Sequence, residues 1–374
     1  MARLGDIVKI SSSSKQLDGD KFWLLNLDMV EQQTGAIVDY NYVSGKDLNG
    51  SIIQFDVDTV LYSKLRPNLN KVVLPCMDGF ATSEMLPLKP DISVICKEYL
   101  AAYLRSNSFV TWAVSKTSGA KMPRLGTKEL LDKDIPLPSL NEQHHIAAVL
   151  DKVSDQISLR KQQLAKLDEL VKARFVELFG ATSADKCSKQ IKDYAEVLGG
   201  YAFKSDMFCT NAVPVIRISN INNGCVDPDY DVCYDELFWE QNKRFRAEQN
   251  DILMAMSGAT TGKAGLYKED MPALINQRVA CIRAKDGIAC PMFLFVATQL
   301  EWMYDLIQET SAGCAQPNIS GKQIENMPVP DATYEQQQQF AAFVEQTDKS
   351  KLAIQQSLDK LETLKRSLMQ KYFG

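Results

Sequence analysis

The sequence predicts a mixed α+β protein in which two similar α/β domains are separated by two long α-helices, the whole forming a pseudo-twofold internal repeat. Three observations lead there: a length of 374 residues, landmarks that recur at a nearly constant spacing, and two long segments with a heptad pattern. At that length one hydrophobic core usually no longer suffices, so two domains are the starting expectation.

The repeat is read directly from paired landmarks. Asp58 in Asp-Thr-Val-Leu-Tyr-Ser and Asp251 in Asp-Ile-Leu-Met-Ala-Met each precede a strand-like apolar run, 193 residues apart, and Thr117-Ser118 and Thr310-Ser311 keep that offset. Pro123 pairs with Pro317 and Lys128 with Lys322 at 194, and Ile135-Pro136-Leu137-Pro138 pairs with Met327-Pro328-Val329-Pro330 at 192. Glu142-Gln143 and Glu335-Gln336 follow, and the copies close in Phe179-Gly180 and Phe373-Gly374. Such slow drift argues for duplication.

Each copy has one internal order. Short β-type runs lead to one apolar helix (98–116 and 291–309), then a proline-bounded segment, then a long helix. Proline cannot sit inside a helix, so the long helices start after Pro138 and Pro330, with Asn141 as the expected first cap. The resulting division is 1–140, a helix over 141–180, 185–333, and a helix over 334–374.

Alternating steps of four and three place Ile146, Leu150, Val153, Ile157, Leu164, Leu167, Val171 and Leu178 on one seam, interrupted by Arg160 and Arg174. The second seam holds Phe340, Val344, Ile354, Leu358, Leu361, Leu368 and Tyr372, interrupted by Thr347, Lys351 and Lys365. A narrow 3.5-residue stripe is what one helix presents to another, so the two are expected to pack together.

Catalytic chemistry finds little support. The only histidines, His144 and His145, are adjacent and lack the i, i+4 spacing of a zinc pair. Nine cysteines are scattered without paired short spacings, which fits reduced thiols. Gly258-Ala-Thr-Thr-Gly262-Lys263 has one residue too few between its glycines for a nucleotide phosphate loop, and Ala264 replaces the magnesium-binding hydroxyl. Asp227-Pro228-Asp229-Tyr230 lacks the second proline of the Asp-Pro-Pro-Tyr signature of amino-directed DNA methyltransferases, and reads as a turn. No metal and no cofactor is therefore expected in this chain. No long uncharged apolar run occurs, and Asp6 interrupts what a signal peptide would continue, which predicts a cytoplasmic protein without a membrane partner.

A net charge of −5 argues against a uniformly basic DNA coat, so local patches matter. Residues 99–128 carry Arg105, Lys116, Lys121, Arg124 and Lys128 with no acid, and 59–77 carry Lys64, Arg66 and Lys71 with none. The second copy offers Lys263, Lys268, Arg278 and Arg283 with Asn276, Gln277, Gln316 and Asn318. Arg, Asn and Gln form bidentate contacts to guanine and adenine edges, and a glycine-rich loop can meet a DNA phosphate through its amides. The predicted DNA-contacting set is Lys64, Arg66, Asn68, Lys71, Lys121, Arg124, Arg217, Ser257, Lys263, Asn276, Gln277, Arg278, Gln316, Asn318 and Lys322. Residues alone leave open a duplicated coiled-coil scaffold that never touches DNA.

These landmarks resemble the specificity subunits of type I restriction-modification systems. The resemblance is carried by Leu61-Tyr62-Ser63-Lys64-Leu65-Arg66-Pro67, Ala81-Thr82-Ser83-Glu84, Ile135-Pro136-Leu137-Pro138 with Asn141-Glu142-Gln143, and the leucine-rich helices ending in Phe-Gly. It implies two target-recognition domains, each reading half of a split asymmetric sequence, and an antiparallel pair of spacer helices acting as a ruler. It further implies double-stranded DNA as ligand and methyltransferase subunits, two of them, as partners that bind S-adenosylmethionine. Restriction subunits hydrolysing ATP with magnesium would complete the complex, and this chain would be non-catalytic.

Overall fold

The computed structural model describes all residues except 15, 16, 18, 49, 50, 120, 223 and 312–316. It divides into two units, the first comprising Met1–Lys161 with Gln356–Gly374 and the second Gln162–Gln355. Each combines one globular part with half of each long helix. No helix among the described residues is long and apolar enough to cross a membrane.

The duplication extends to strand order. In the first unit, one sheet runs Val8–Ile10, Met85–Pro90, Val60–Ser63, Val72–Val73, all antiparallel. Its second sheet runs Asn41–Ser44, Lys21–Leu25, Gly79–Thr82, Ile52–Phe55, with a parallel central pair between antiparallel edges. The second unit repeats the first arrangement as Ala195–Gly199, Val279–Ala284, Ile252–Ala255, Ala264–Leu266, and extends it by Cys225–Val226 and Ile221–Asn222. Cys233–Tyr234, Val213–Ile216, Ala273–Ile275 and Arg246–Ala247 repeat the other sheet, parallel central pair included.

The acid-led apolar runs become central strands because both their faces are covered. Successive side chains point to opposite faces. Val60 and Tyr62 join one core with Leu88, Tyr99 and Phe109, while Leu61 joins the other with Trp23, Phe55 and Met85. Ile252 and Met254, against Leu253 and Ala255, divide in the same way. The one apolar helix expected in each copy is instead two, Lys97–Leu104 with Asn107–Ser115 and Pro291–Thr298 with Glu301–Ser311. In the first copy Ser106 ends the run, because its hydroxyl accepts the Phe109 N–H at 3.3 Å and caps a new helix.

The long helices span Leu140–Phe179 and Tyr334–Phe373, 40 residues each, about 60 Å at 1.5 Å per residue. Within the first unit they run antiparallel: Ile146 and Leu150 share a core with Leu368, Met369 and Phe373, and Lys161 meets Glu362 at 3.5 Å. Within the second, Phe175 packs on Phe340 with ring centres 5.2 Å apart, and Lys351 meets Asp168 at 2.6 Å. Of the predicted seam, Leu150, Val153, Val171 and Leu358 are buried, and Ile157, Leu164, Leu167, Ile354, Leu361 and Leu368 are half-buried. Leu178 departs from it at 41% exposed, while Phe175 is fully buried. There the helix faces a globular core, so its apolar stripe widens from the 3.5-residue seam to the 3.6-residue pattern. The cap also shifts from Asn141 to Ser139, whose hydroxyl accepts the Glu142 N–H at 3.4 Å.

Candidate nucleic-acid interface

The two basic stretches of the first copy are brought together by backbone hydrogen bonds. Arg66 N–H donates to Pro123 O at 2.8 Å, Leu125 N–H to Lys64 O at 2.9 Å, and Lys64 N–H to Glu84 O at 3.0 Å. The second copy repeats the frame: Gly258 N–H to Pro317 O at 3.1 Å, Ile319 N–H to Met256 O at 2.9 Å, and Met256 N–H to Arg278 O at 2.8 Å. Leu65 faces Arg124 and Ser257 faces Asn318 in matching isolated bridges. The frame is common to both copies; the side chains mounted on it are not.

In the first copy, Arg66 and Asn70 both adopt left-handed backbone, at φ 50° and 52°, flanking the tight turn Pro67–Leu69. This conformation is costly for a non-glycine residue, and doubly so before proline. The Pro123 hydrogen bond holds it, and Arg66 stands exposed with no side-chain partner among the described residues. Asn68, Lys121 and Lys128 are exposed nearby in sequence, and Lys64 is half-buried.

Two predicted contacts are otherwise engaged. Arg124 forms a fork on Glu84, Nη2 to Oε1 at 2.9 Å and Nε to Oε2 at 3.2 Å. The Arg124 hydrogen bond, with the charges of Arg124 and Lys64, holds the Glu84 carboxyl below its ordinary range despite partial burial. Lys71 donates its ammonium to Leu27 O, and burial lowers its pKa. Each cation is met by an acceptor within the chain.

In the second copy the glycine-rich segment is a hairpin tip between Ile252–Ala255 and Ala264–Leu266, so no helix follows it to receive a nucleotide phosphate. Gly258 and Gly262 supply φ of +81° and +84°, and Thr261 closes the tip by donating to Gly258 O at 2.7 Å. Lys263 is exposed, Ser257 is half-buried, and the Ser257 and Thr260 hydroxyls have no partner among the described residues. Asn276 caps its own turn by accepting the Arg278 N–H at 3.2 Å, leaving Gln277 and Arg278 exposed. Asn318 and Lys322 are exposed as well. Arg217 is bound to Asp229 at 3.0 Å, another predicted contact held internally. Gln316 lies outside the described residues.

Sequence reasoning missed Tyr201. Its N–H donates to Ile275 O and its carbonyl accepts the Gln277 N–H, both at 2.8 Å, so it clamps the Asn276–Arg278 turn. Its partly exposed ring leads an aromatic cluster with Phe203, Phe238 and Phe245, centres 4.9–5.2 Å apart. Gly199-Gly200 was the available signal: a Cβ at Gly200 would lie 2.2 Å from Asn276 O.

No group of residues suited to a metal ion occurs among the described residues. The His144 and His145 side chains are exposed. The turn begins two residues into Asp227–Tyr230: Asp229 accepts the Val232 N–H through its carbonyl and the Asp231 N–H through its side chain, both at 3.1 Å, while Asp227 and Pro228 precede it.

Known proteins of like sequence agree on one family. The specificity subunit of the Type I restriction enzyme EcoBI from Escherichia coli is 25% identical over 292 residues, a match covering 69% of this chain and 61% of that subunit, hence less than two thirds of its length. The MjaVIII specificity subunit of Methanocaldococcus jannaschii is 24% identical over 311 residues, covering 78% and 72%. Among solved structures, a chain of a type I R-M system matches with a TM-score of 0.58 at 18% identity, covering 100% of this chain and 96% of its own. The S subunit from M. genitalium matches with a TM-score of 0.58 at 15% identity, covering 100% and 95%. At these identities the structures speak for the fold. The sequence model of the Type I restriction modification DNA specificity domain matches twice, over residues 2–169 and 185–366, and with nearly the whole length so accounted for, the chain belongs to that family.

Proposed function

We propose that this chain is the DNA-reading specificity subunit of a type I restriction-modification complex, each unit reading one half of a split, asymmetric target. The observation that carries the reading is the repeated hydrogen-bond frame, which mounts Lys64, Arg66, Asn68, Lys121 and Lys128 in one unit and Ser257, Lys263, Asn276, Gln277, Arg278, Asn318 and Lys322 in the other. One scaffold with unlike polar side chains is what reading two unlike half-sites requires, since base edges are told apart by donor and acceptor pattern. Arg66 and Arg278 are the leading contacts.

The chain itself performs no catalysis on this reading. S-adenosylmethionine, ATP and magnesium belong to partner chains: two methyltransferase subunits docked on the long helices, and restriction subunits beyond them, acting in the cytoplasm. A gel-shift titration of the chain with its methyltransferase partner tests the reading. Tight binding to one duplex that is lost on scrambling either half-site is the expected result. Equal mobility shifts for all sequences, or none, would instead support a scaffold that does not read DNA.

A further inference from the structure

We infer that the open cavity lined within the first unit by Asn70, Arg105, Asp151, Lys365 and Arg366 is a binding site for a phosphate group. It has a volume of about 540 Å³ and lies between the globular part and the two helix segments of that unit. None of these residues belongs to the set assigned above to the DNA-reading interface.

The first argument is unspent positive charge. Lys161 in the wall is neutralised by Glu362, but Lys365 has no hydrogen bond or ion pair among the described residues. Arg105 spends Nε and Nη2 on one acceptor, Val72 O, at 3.2 and 2.6 Å, which leaves Nη1 without a partner. Asp151, the nearby acid, makes no ion pair with either. Burial, and then the charges of Arg105 and Lys161, hold the Lys365 ammonium below its ordinary pKa, with Asp151 and Glu362 offsetting only part of this, and burial likewise lowers Arg105 against the charge of Asp151. Half-buried cations left this way are disfavoured unless an anion joins them. Phosphate suits the site because it accepts from guanidinium and ammonium together.

The second argument is an internal control. The corresponding cavity of the second unit, lined by Val344, Asp348 and Lys351 as its partner is by Leu150, Ser154 and Ile157, has Gln299 at the position of Arg105 and Val171 at that of Lys365. Helix packing therefore does not require the cations. Val171 supplies what a seam needs, and Lys365 departs from it.

Asn70 ties the cavity to the candidate interface. Its amide donates to Arg105 O at 3.0 Å, and it ends the turn that Arg66 begins. Isothermal titration of the full chain with inorganic phosphate, at low ionic strength against a chloride-matched control, tests the inference. Wild type is expected to bind at a single site, and K365V to bind at least tenfold more weakly. Because Arg105 also holds Val72, R105Q serves only as a second variant; K365V removes a side chain with no hydrogen bond or ion pair to lose and installs the residue its counterpart uses. Displacement of bound phosphate by a short duplex would identify the DNA backbone as the source of the group, and no displacement a free phosphate compound. Absence of saturable binding in wild type, or equal affinity in K365V, overturns the assignment, and neither outcome bears on DNA reading because the primary titration contains no DNA.

Discussion

Arg66 and Arg278 reach solvent by different backbone solutions. Arg66 is held in left-handed backbone by the Pro123 carbonyl, whereas Arg278 follows a turn capped by the Asn276 side chain. If each contacts a base, R66A and R278A should each weaken duplex binding by about 1–3 kcal/mol and relax preference within one half-site only; a phosphate contact would weaken all sequences equally. Binding isotherms on duplexes altered in one half-site at a time separate these cases, and unchanged affinity would remove the residue from the interface. Glu84 offers a titration test. Its carboxyl is held low chiefly by the Arg124 hydrogen bond, so that pair stabilises the fold above the ordinary carboxylate pKa, and the contribution is lost as pH falls through the depressed folded value. Carbon-detected NMR titration should find Glu84 below the normal range in wild type and raised towards it in R124A. At this scale the sequence revealed clusters but not partners. Lys71, Arg124 and Arg217 look like free cations in a linear chain; Leu27, Glu84 and Asp229, which occupy them, become neighbours only after folding.

Elements were more legible, because periodicity is local. The prolines bounded the long helices to within a residue or two, and every heptad position from Leu150 to Val171 is at least half-buried. Where the estimate failed, at Leu178 and at the split apolar helices, tertiary neighbours decided the outcome. A feature that no pattern exposes anchors the start of both long helices. Gln143 is fully buried, accepting the Cys96 N–H at 3.0 Å and donating to Val94 O and Pro138 O; Gln337 does the same for Cys290, Ile288 and Ala332. Truncation of Gln143 leaves Cys96 N–H, Val94 O and Pro138 O without this partner, whereas truncation of Gln337 leaves Cys290 N–H and Ile288 O, since Ala332 O keeps the Tyr194 hydroxyl at 3.3 Å; a buried group left without a partner costs about 1–3 kcal/mol. Q143A and Q337A should therefore each destabilise by at least about 2 kcal/mol by the same rule, read as a lower midpoint in urea denaturation. A shift within experimental error would show that water replaces the amide. Glu-Gln in each copy was visible, but with opposite roles: Gln143 is the buried residue of Glu142-Gln143, whereas in Glu335-Gln336-Gln337 the buried one lies a step further on.

For the whole molecule, duplication was the most legible property and sheet order confirmed it strand by strand, while the two-strand extension by Ile221–Asn222 and Cys225–Val226, which brings one sheet to six strands, left no mark in the landmark spacing. A ruler role for the helices, which the family resemblance implies, carries a length prediction. Inserting four helical residues at facing positions of both helices adds about 6 Å, and should lengthen the unread spacer by roughly two base pairs at 3.4 Å each. An unaltered spacer would exclude the helices as the ruler. The most direct test of the central claim, that two unlike readers act on one split target, is genome-wide mapping of methylated bases in a host carrying the methyltransferase partner, with and without this chain. The account predicts methylation that depends on the chain and falls within two dissimilar half-sites separated by a fixed, unread spacer. Methylation unchanged by removal of the chain, or confined to one contiguous motif, would contradict it.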